Sequence, residues 1–166
     1  MRAEGQCYND FVVENGNLLK GYIGKGKEVD IPPFITRIEA LAFWNNEGIE
    51  SVVIPDTVTN IGIDAFKNCK NLKALRLSKA IQAVPQSMCH GCVSLERIDI
   101  PCGVKAIETN AFRECINLKE ISLPQSLTCI ESKAFYGAKE LRNIEILASN
   151  CYISNDAFAK CPATIK

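Results

Sequence analysis

The chain reads as an α/β solenoid of stacked short coils, and three observations predict it. A strict period of 23 residues runs without insertion from Ile31 to the end. Six columns keep their character in that register, and proline punctuates the same point of most units. Self-similarity of this kind marks units that cannot bury their own apolar face singly and do so by stacking.

The columns define the core. Positions 31, 54, 77, 100, 123 and 146 are Ile or Leu, and positions 38, 61, 84, 107, 130 and 153 are Ile or Val. Positions 43, 66, 112, 135 and 158 are Phe, with Cys89 in the remaining place, and Ala precedes each except at Met88. Two more aliphatic columns follow, at 49, 72, 95, 118 and 141, broken by Thr164, and at 52, 75, 98, 121 and 144. Six coils result, the last one weak.

Taken in order, residues 1–30 lie outside the period and form an N-terminal cap. Phe11-Val12-Val13 and Leu18-Leu19 flank Asn15-Gly16, a pair suited to the positive-φ turn of a hairpin. Residues 31–166 are the repeat body, a single solenoid domain. Within a unit, Leu95-Glu96-Arg97-Ile98-Asp99-Ile100 ends in a two-residue alternation, the mark of a strand with one buried face. Proline then ends the strand at Pro32, Pro55, Pro101 and Pro124, where a lost amide donor is tolerated. The segment Asn110-Ala111-Phe112-Arg113-Glu114-Cys115 is too short for a full helix and suits a helical turn. Stacking places a parallel sheet on one side and turns on the other. At the far end no polar cap follows, since Thr164-Ile165-Lys166 falls inside the sixth strand.

Charge narrows the partners. Lys+Arg and Asp+Glu balance at 19 each, so no basic excess is available to neutralise phosphates, and nucleic acid is not expected as a partner. No apolar run reaches the roughly 18 to 20 residues that span a bilayer, and the start Met1-Arg2-Ala3-Glu4-Gly5-Gln6 is polar, without a signal-peptide core or anchor. Membrane insertion is not expected.

The recurring phrase Ile54-Pro55-Asp56-Thr57-Val58-Thr59-Asn60-Ile61-Gly62-Ile63-Asp64-Ala65-Phe66-Lys67-Asn68-Cys69-Lys70-Asn71-Leu72 resembles the BspA-like leucine-rich repeat family. The entry segment with Gly21-Tyr22-Ile23-Gly24-Lys25-Gly26 is similar to that family's opening. The resemblance implies a right-handed leucine-rich-repeat superhelix with a parallel concave β-sheet. It also implies a bacterial or protist surface protein, some members acting as adhesins. Departures are Cys89 for Phe, Ser78 and Leu147-Ala148 for the post-strand proline, and the absence of an export signal.

Nine cysteines invite a disulfide reading, but an odd number in a chain of this length argues against it. Cys69, Cys92, Cys115 and Cys161 share a column with Asn46 and Ala138 and read as small core residues. Coils repeat at about 4.8 Å, whereas disulfide Cβ atoms sit about 3.5–4.5 Å apart, so ladder neighbours would bond only with strain. Cys89-His90-Gly91-Cys92 has the spacing of thiol-disulfide enzymes, and His90 is suited to depress a thiol pKa. Both cysteines fall on buried columns and no βαβ context surrounds them. Zinc lacks a second ligand pair. Gly21-Tyr22-Ile23-Gly24-Lys25-Gly26-Lys27 matches a phosphate-loop spacing, yet Glu28 replaces the Ser or Thr and Ile31-Pro32-Pro33 cannot open a helix. A turn between cap strands is the reading, and no cofactor is expected.

Two surface rows remain. Ser51, Val53, Ala74, Arg76, Arg97, Asp99, Glu120, Ser122, Asn143 and Glu145 alternate with buried strand positions and should face the concave side, positive in the middle and acidic toward the C-terminal end. Trp44, Lys67, His90, Arg113, Tyr136 and Ala159 follow the aromatic column as a second candidate surface row, in which exposed Trp and Tyr flanking cations would suit hydrogen-bonding and stacking contacts at an interface; Trp44 is expected instead to fold over the N-terminal cap. The leading reading is a non-enzymatic module binding a protein or glycan through Arg76, Arg97, Asp99, Glu120, Ser122, Asn143 and Glu145. A structural or assembly repeat, or a fragment of a longer surface protein, whose C-terminal coil stacks on another copy or on further repeats, is a second reading, and thiol redox chemistry at Cys89 and Cys92 a third.

Overall fold

The computed structural model describes residues 8–165. After one 3-10 turn at Tyr8–Asp10, β1 (Phe11–Glu14) and β2 (Leu18–Tyr22) pair antiparallel. Asn15 and Gly16 take φ of 52° and 76° between them, the left-handed backbone that an Asn-Gly pair supplies. Short strands then succeed one another to the end: β3 (Glu28–Asp30), β4 (Arg37–Ile38), β5 (Ser51–Val53), β6 (Asn60–Ile61), β7 (Ala74–Arg76), β8 (Ala83–Val84), β9 (Arg97–Asp99), β10 (Ala106–Ile107), β11 (Glu120–Ser122), β12 (Cys129–Ile130), β13 (Asn143–Ile144), β14 (Tyr152–Ile153) and β15 (Thr164–Ile165).

Odd-numbered strands from β3 onward form the main sheet. Glu28 lies opposite Ser51, Ser51 opposite Ala74, and Arg97 opposite Glu120, each step one period. The ladder is laid in three pieces, β3-β5-β7, β9-β11 and β13-β15; in the last the step departs from the expected period, Thr164 lying opposite Asn143 and Ile165 opposite Ile144, 21 residues on instead of 23. β3 thus occupies the strand position one period before β5.

Even-numbered strands form a second parallel sheet, which the sequence reading contains only as an unassigned column of Ile and Val. It too is interrupted, into β1-β2-β4-β6 and β8-β10-β12-β14. Elsewhere on this ladder Gly62, Glu108, Glu131 and Ser154 donate their amides to Ile38, Val84, Ile107 and Ile130 at 2.8–3.0 Å. In the interrupted place that position is Pro85, which has no amide to give.

The turn segments contain no α-helix among the described residues. In place of the expected helical turn, amides alternate between two directions. Lys67 and Cys69 bond back to Asp64 and Phe66 at 3.1 and 3.2 Å, while Asp64, Phe66 and Asn68 bond to Gln86, Met88 and His90 of the next coil at 3.1, 2.9 and 2.7 Å. Positive φ at Asp64 (55°) and Asn68 (59°) breaks helical continuation and turns those amides along the solenoid axis. The turns are therefore a third ladder.

Between the ladders lies one apolar core holding every anticipated column. Phe43, Phe66, Phe112 and Phe135 have 0–1% of their surface exposed. Tyr22, Phe43 and Phe66 stack with centroids 5.7 and 4.7 Å apart, and Phe112, Phe135 and Phe158 do so at 5.4 and 5.1 Å. Cys89 interrupts the stack. Where the post-strand proline is replaced by Ser78, the buried hydroxyl donates to the Val58 carbonyl at 2.6 Å and accepts from the Ala80 amide at 3.1 Å, making locally the turn that proline initiates elsewhere.

Candidate functional site

A groove of about 760 Å³ opens on the main sheet over β5, β7 and β9. Its floor is low because Ser51 and Ala74 are small where the same row carries Arg97 and Glu120 further along. Arg76, Lys79, Arg97 and Asp99 rise around it, with Cys102 and Pro101 at one end. β7 and β9 are neighbours here without ladder pairing. A second hollow of about 510 Å³ lies where β11 and β13 are likewise unladdered, lined by Arg97, Glu120, Ser122, Arg142 and Asn143.

The guanidinium groups are held in place. Arg97 reaches Glu120 at 3.1 Å and Asp99 at 3.2 Å, and Asp99 in turn accepts from the Ser122 hydroxyl at 2.9 Å. Arg76 contacts Asp56 at 3.3 Å and donates to the Ile54 carbonyl at 3.3 Å. All these groups are exposed, so the pairs add little stability; their consequence is orientation. The expected concave row is thereby brought together from Ser51 to Asn143. Glu145 is exposed just beyond β13 and lines neither hollow.

Beside this row runs a second one that the sequence reading missed. Lys27, Glu50, Lys73, Glu96, Lys119 and Arg142 are successive members of one column. Lys27 and Lys73 both grip Glu50 at 2.7 Å, and Lys119 reaches Glu96 at 3.2 Å. These hydrogen bonds hold the Glu50 carboxyl down at about 2 and push the Lys27 ammonium up. The alternation of sign at the repeat spacing was the available signal.

On the turn side, Arg113 lies over the Tyr136 ring at 5.0 Å and Lys160 lies over it at 5.1 Å. Lys67 pairs with Asp64 at 3.1 Å, and His90 is half-buried, its pKa lowered by burial and then by Arg113 and Lys67. Trp44 is 51% exposed instead of closing over the cap, because its neighbour Phe43 takes the place in the core.

The thiols have a structural setting. Cys69, Cys92 and Cys115 are buried and free, and each Sγ donates to a carbonyl of the preceding coil, Phe43, Phe66 and Cys89, at 3.0–3.1 Å. Burial pushes the Cys89 thiol well up, the opposite of what a nucleophilic thiolate requires. Cys161 is partly exposed and departs from this ladder. Gly21 and Tyr22 end β2, and residues 23–27 are an irregular connection that leads into β3, with the Tyr22 hydroxyl 3.5 Å from the Gly26 carbonyl, so no helix N-terminus faces it. Among the described residues no cluster of three His, Cys, Asp or Glu is placed to hold a metal, and no helix is long and apolar enough to cross a membrane.

A family profile described as BspA type leucine rich repeat region matches residues 27–164 in six copies. Among solved structures, a leucine rich cell surface protein from Faecalibacterium prausnitzii is 33% identical with a TM-score of 0.74, over 92% of this chain and 40% of that one. A leucine-rich repeat protein from Eubacterium ventriosum is 25% identical with a TM-score of 0.78, over 93% and 50%. A leucine-rich repeat protein from T. pallidum shares the fold at a TM-score of 0.83 and 23% identity, over 95% and 89%. The chain thus spans half or less of the length of the first two. Among curated proteins none matches significantly.

Proposed function

Because the chain belongs to the BspA-type leucine-rich repeat family, we propose that it is a non-enzymatic interaction module that presents its concave main sheet to a protein or glycan, in the manner of an adhesin. The observation that carries this reading is the groove over β5, β7 and β9, in which a floor of small side chains is rimmed by oriented Arg76 and Arg97. A guanidinium already held by a carboxylate loses less freedom on meeting a ligand, so its remaining donors are pre-organised for binding. The same proposal places the protein at a cell surface, as the Faecalibacterium relative is described, and assigns capping to the hairpin within residues 1–30 and repeats to 31–166.

The test is binding of the thiol-reduced protein to an array of extracellular-matrix proteins and glycans, with Arg97→Glu/Asp99→Arg alongside. A specific partner should be bound roughly tenfold or more weakly by the variant, as expected for losing one anchoring arginine. A partner held equally by both proteins would remove this face from the reading.

A further inference from the structure

We propose that the turn side of the first two coils is a second docking surface, shaped for a short amphipathic segment of another protein that seats two or three large apolar side chains around Trp44. Comparison of sister coils within the chain motivates it. At the position of Leu41 the other coils carry Asp64, Ser87, Asn110, Lys133 and Asp156; at that of Trp44, Lys67, His90, Arg113, Tyr136 and Ala159; at that of Ile63, Ala40, Gln86, Thr109, Ser132 and Asn155. Columns that are polar or small along most of the solenoid become large and apolar together, here only.

The backbone sets these departures side by side. The Leu41 amide donates to the Ile63 carbonyl at 3.1 Å, and the Trp44 amide to the Leu41 carbonyl at 2.9 Å. On the other flank the Tyr22 amide donates to Ala42 at 3.2 Å and its ring stacks on Phe43, so Ile23 falls on the rung beside Trp44. Ile23, Leu41, Trp44 and Ile63 are 69%, 49%, 51% and 49% exposed. Leu41 moreover adopts φ of 64°, a conformation that Asn and Asp accept readily and a branched apolar side chain does not. The same backbone recurs at Asp64, Ser87, Asn110 and Lys133 with φ of 54–59°, so the turn requires the conformation but not an apolar side chain, and an exposed Leu there points to recognition.

Area and charge select the occupant. The patch exposes on the order of 400 Å², the size of a functional patch on a monomer, whereas a stable pair of copies needs about 800 Å² from each. One short segment fits. Lys67 at its edge is paired with Asp64 at 3.1 Å, and the four exposed side chains of the patch are themselves uncharged, so apolar contact dominates. Side chains at i, i+3 and i+4 of a helix stand about 5–6 Å apart, close to the rung spacing of about 4.8 Å. The surface lies in the turn segments, away from the main sheet, and does not depend on the concave groove.

Trp44 is the sole tryptophan, so its emission reports on the patch directly. A display library of random peptides about twelve residues long is panned against the full chain, and enriched peptides are then titrated. Enriched sequences should carry apolar residues at helical spacing and shift the Trp44 emission to the blue. Leu41→Asn and Ile63→Thr, which install residue types used by sister coils, should each weaken binding about tenfold or more without lowering Tm. The proposal fails if no family of peptides is enriched, or if enriched peptides leave the emission unmoved or bind both variants as well as the original. It fails also if the blue shift appears with rising protein concentration alone, which would assign the patch to a second copy, or with free glycans instead of peptides.

Discussion

Phe112 shows no solvent exposure and its ring lies 5.4 Å from that of Phe135, so truncation leaves a cavity that the rigid rungs on either side cannot close. Phe112→Ala should cost about 3–5 kcal/mol in urea unfolding; a near-neutral result would mean that the stack is not a structural spine. The core residues were legible in the sequence because burial recurs at every period, and a column averaged over six coils separates inside from outside even where one member departs. Cys89 was legible as a departure, and its fully buried place followed from its column. Trp44 was legible as a candidate for the second surface row but was expected to fold over the cap, and Leu41 was not legible at all. Large aromatics are usually buried, and a left-handed φ at a leucine leaves no mark in composition. The small thiols at Cys69, Cys92 and Cys115 serve the turns by bonding carbonyls of the coil before them, a detail that hydrophobic periodicity cannot convey.

Strands follow the same logic with one omission. Main-sheet strands such as β9 alternate exposed, buried, exposed and declare themselves, whereas the second-sheet strands β4, β6, β8, β10, β12 and β14 are two residues long, too short for any alternation to register. The charged column is an element-scale device with a pH signature. Glu50, gripped by Lys27 and Lys73, has its pKa lowered from the ordinary 4.5 to about 2. A lowered folded-state pKa contributes stability above the unfolded value that is lost as pH falls through the folded one. Melting temperature should therefore decline between about pH 4.5 and about pH 2, and the Glu50→Gln variant should decline less over that window. Because the row is exposed, raising salt should shrink the difference between the two proteins; equal acid sensitivity at low salt would show that the grip on Glu50 contributes nothing.

For the molecule as a whole, the number of coils and their register as far as β13 were open to reading because no insertion disturbs the period; the shortened step to β15 was not. What the sequence could not convey is that several of the departures fall where two ladders break together. Residues 77–99 contain Ser78, Pro85, Met88 and Cys89, and around them the second-sheet ladder stops at Pro85, the main-sheet ladder stops between β7 and β9, and the phenylalanine stack skips a rung. Only the turn ladder crosses without a break. Since stability in a solenoid is close to a sum of neighbour terms, native-state hydrogen exchange should show amides of β7 and β8 opening at a free energy about 1–2 kcal/mol below those of β10 and β12. Uniform protection would mean that the turn ladder alone suffices. The 23-residue coil, kept as far as β13, carries one more consequence. It makes the main sheet a graduated scale, on which each side chain is one mark and marks stand about 4.8 Å apart. Duplicating one internal coil would slide everything beyond it by a single mark while leaving each local environment intact, so any length that the surface spans is set in whole units of the repeat.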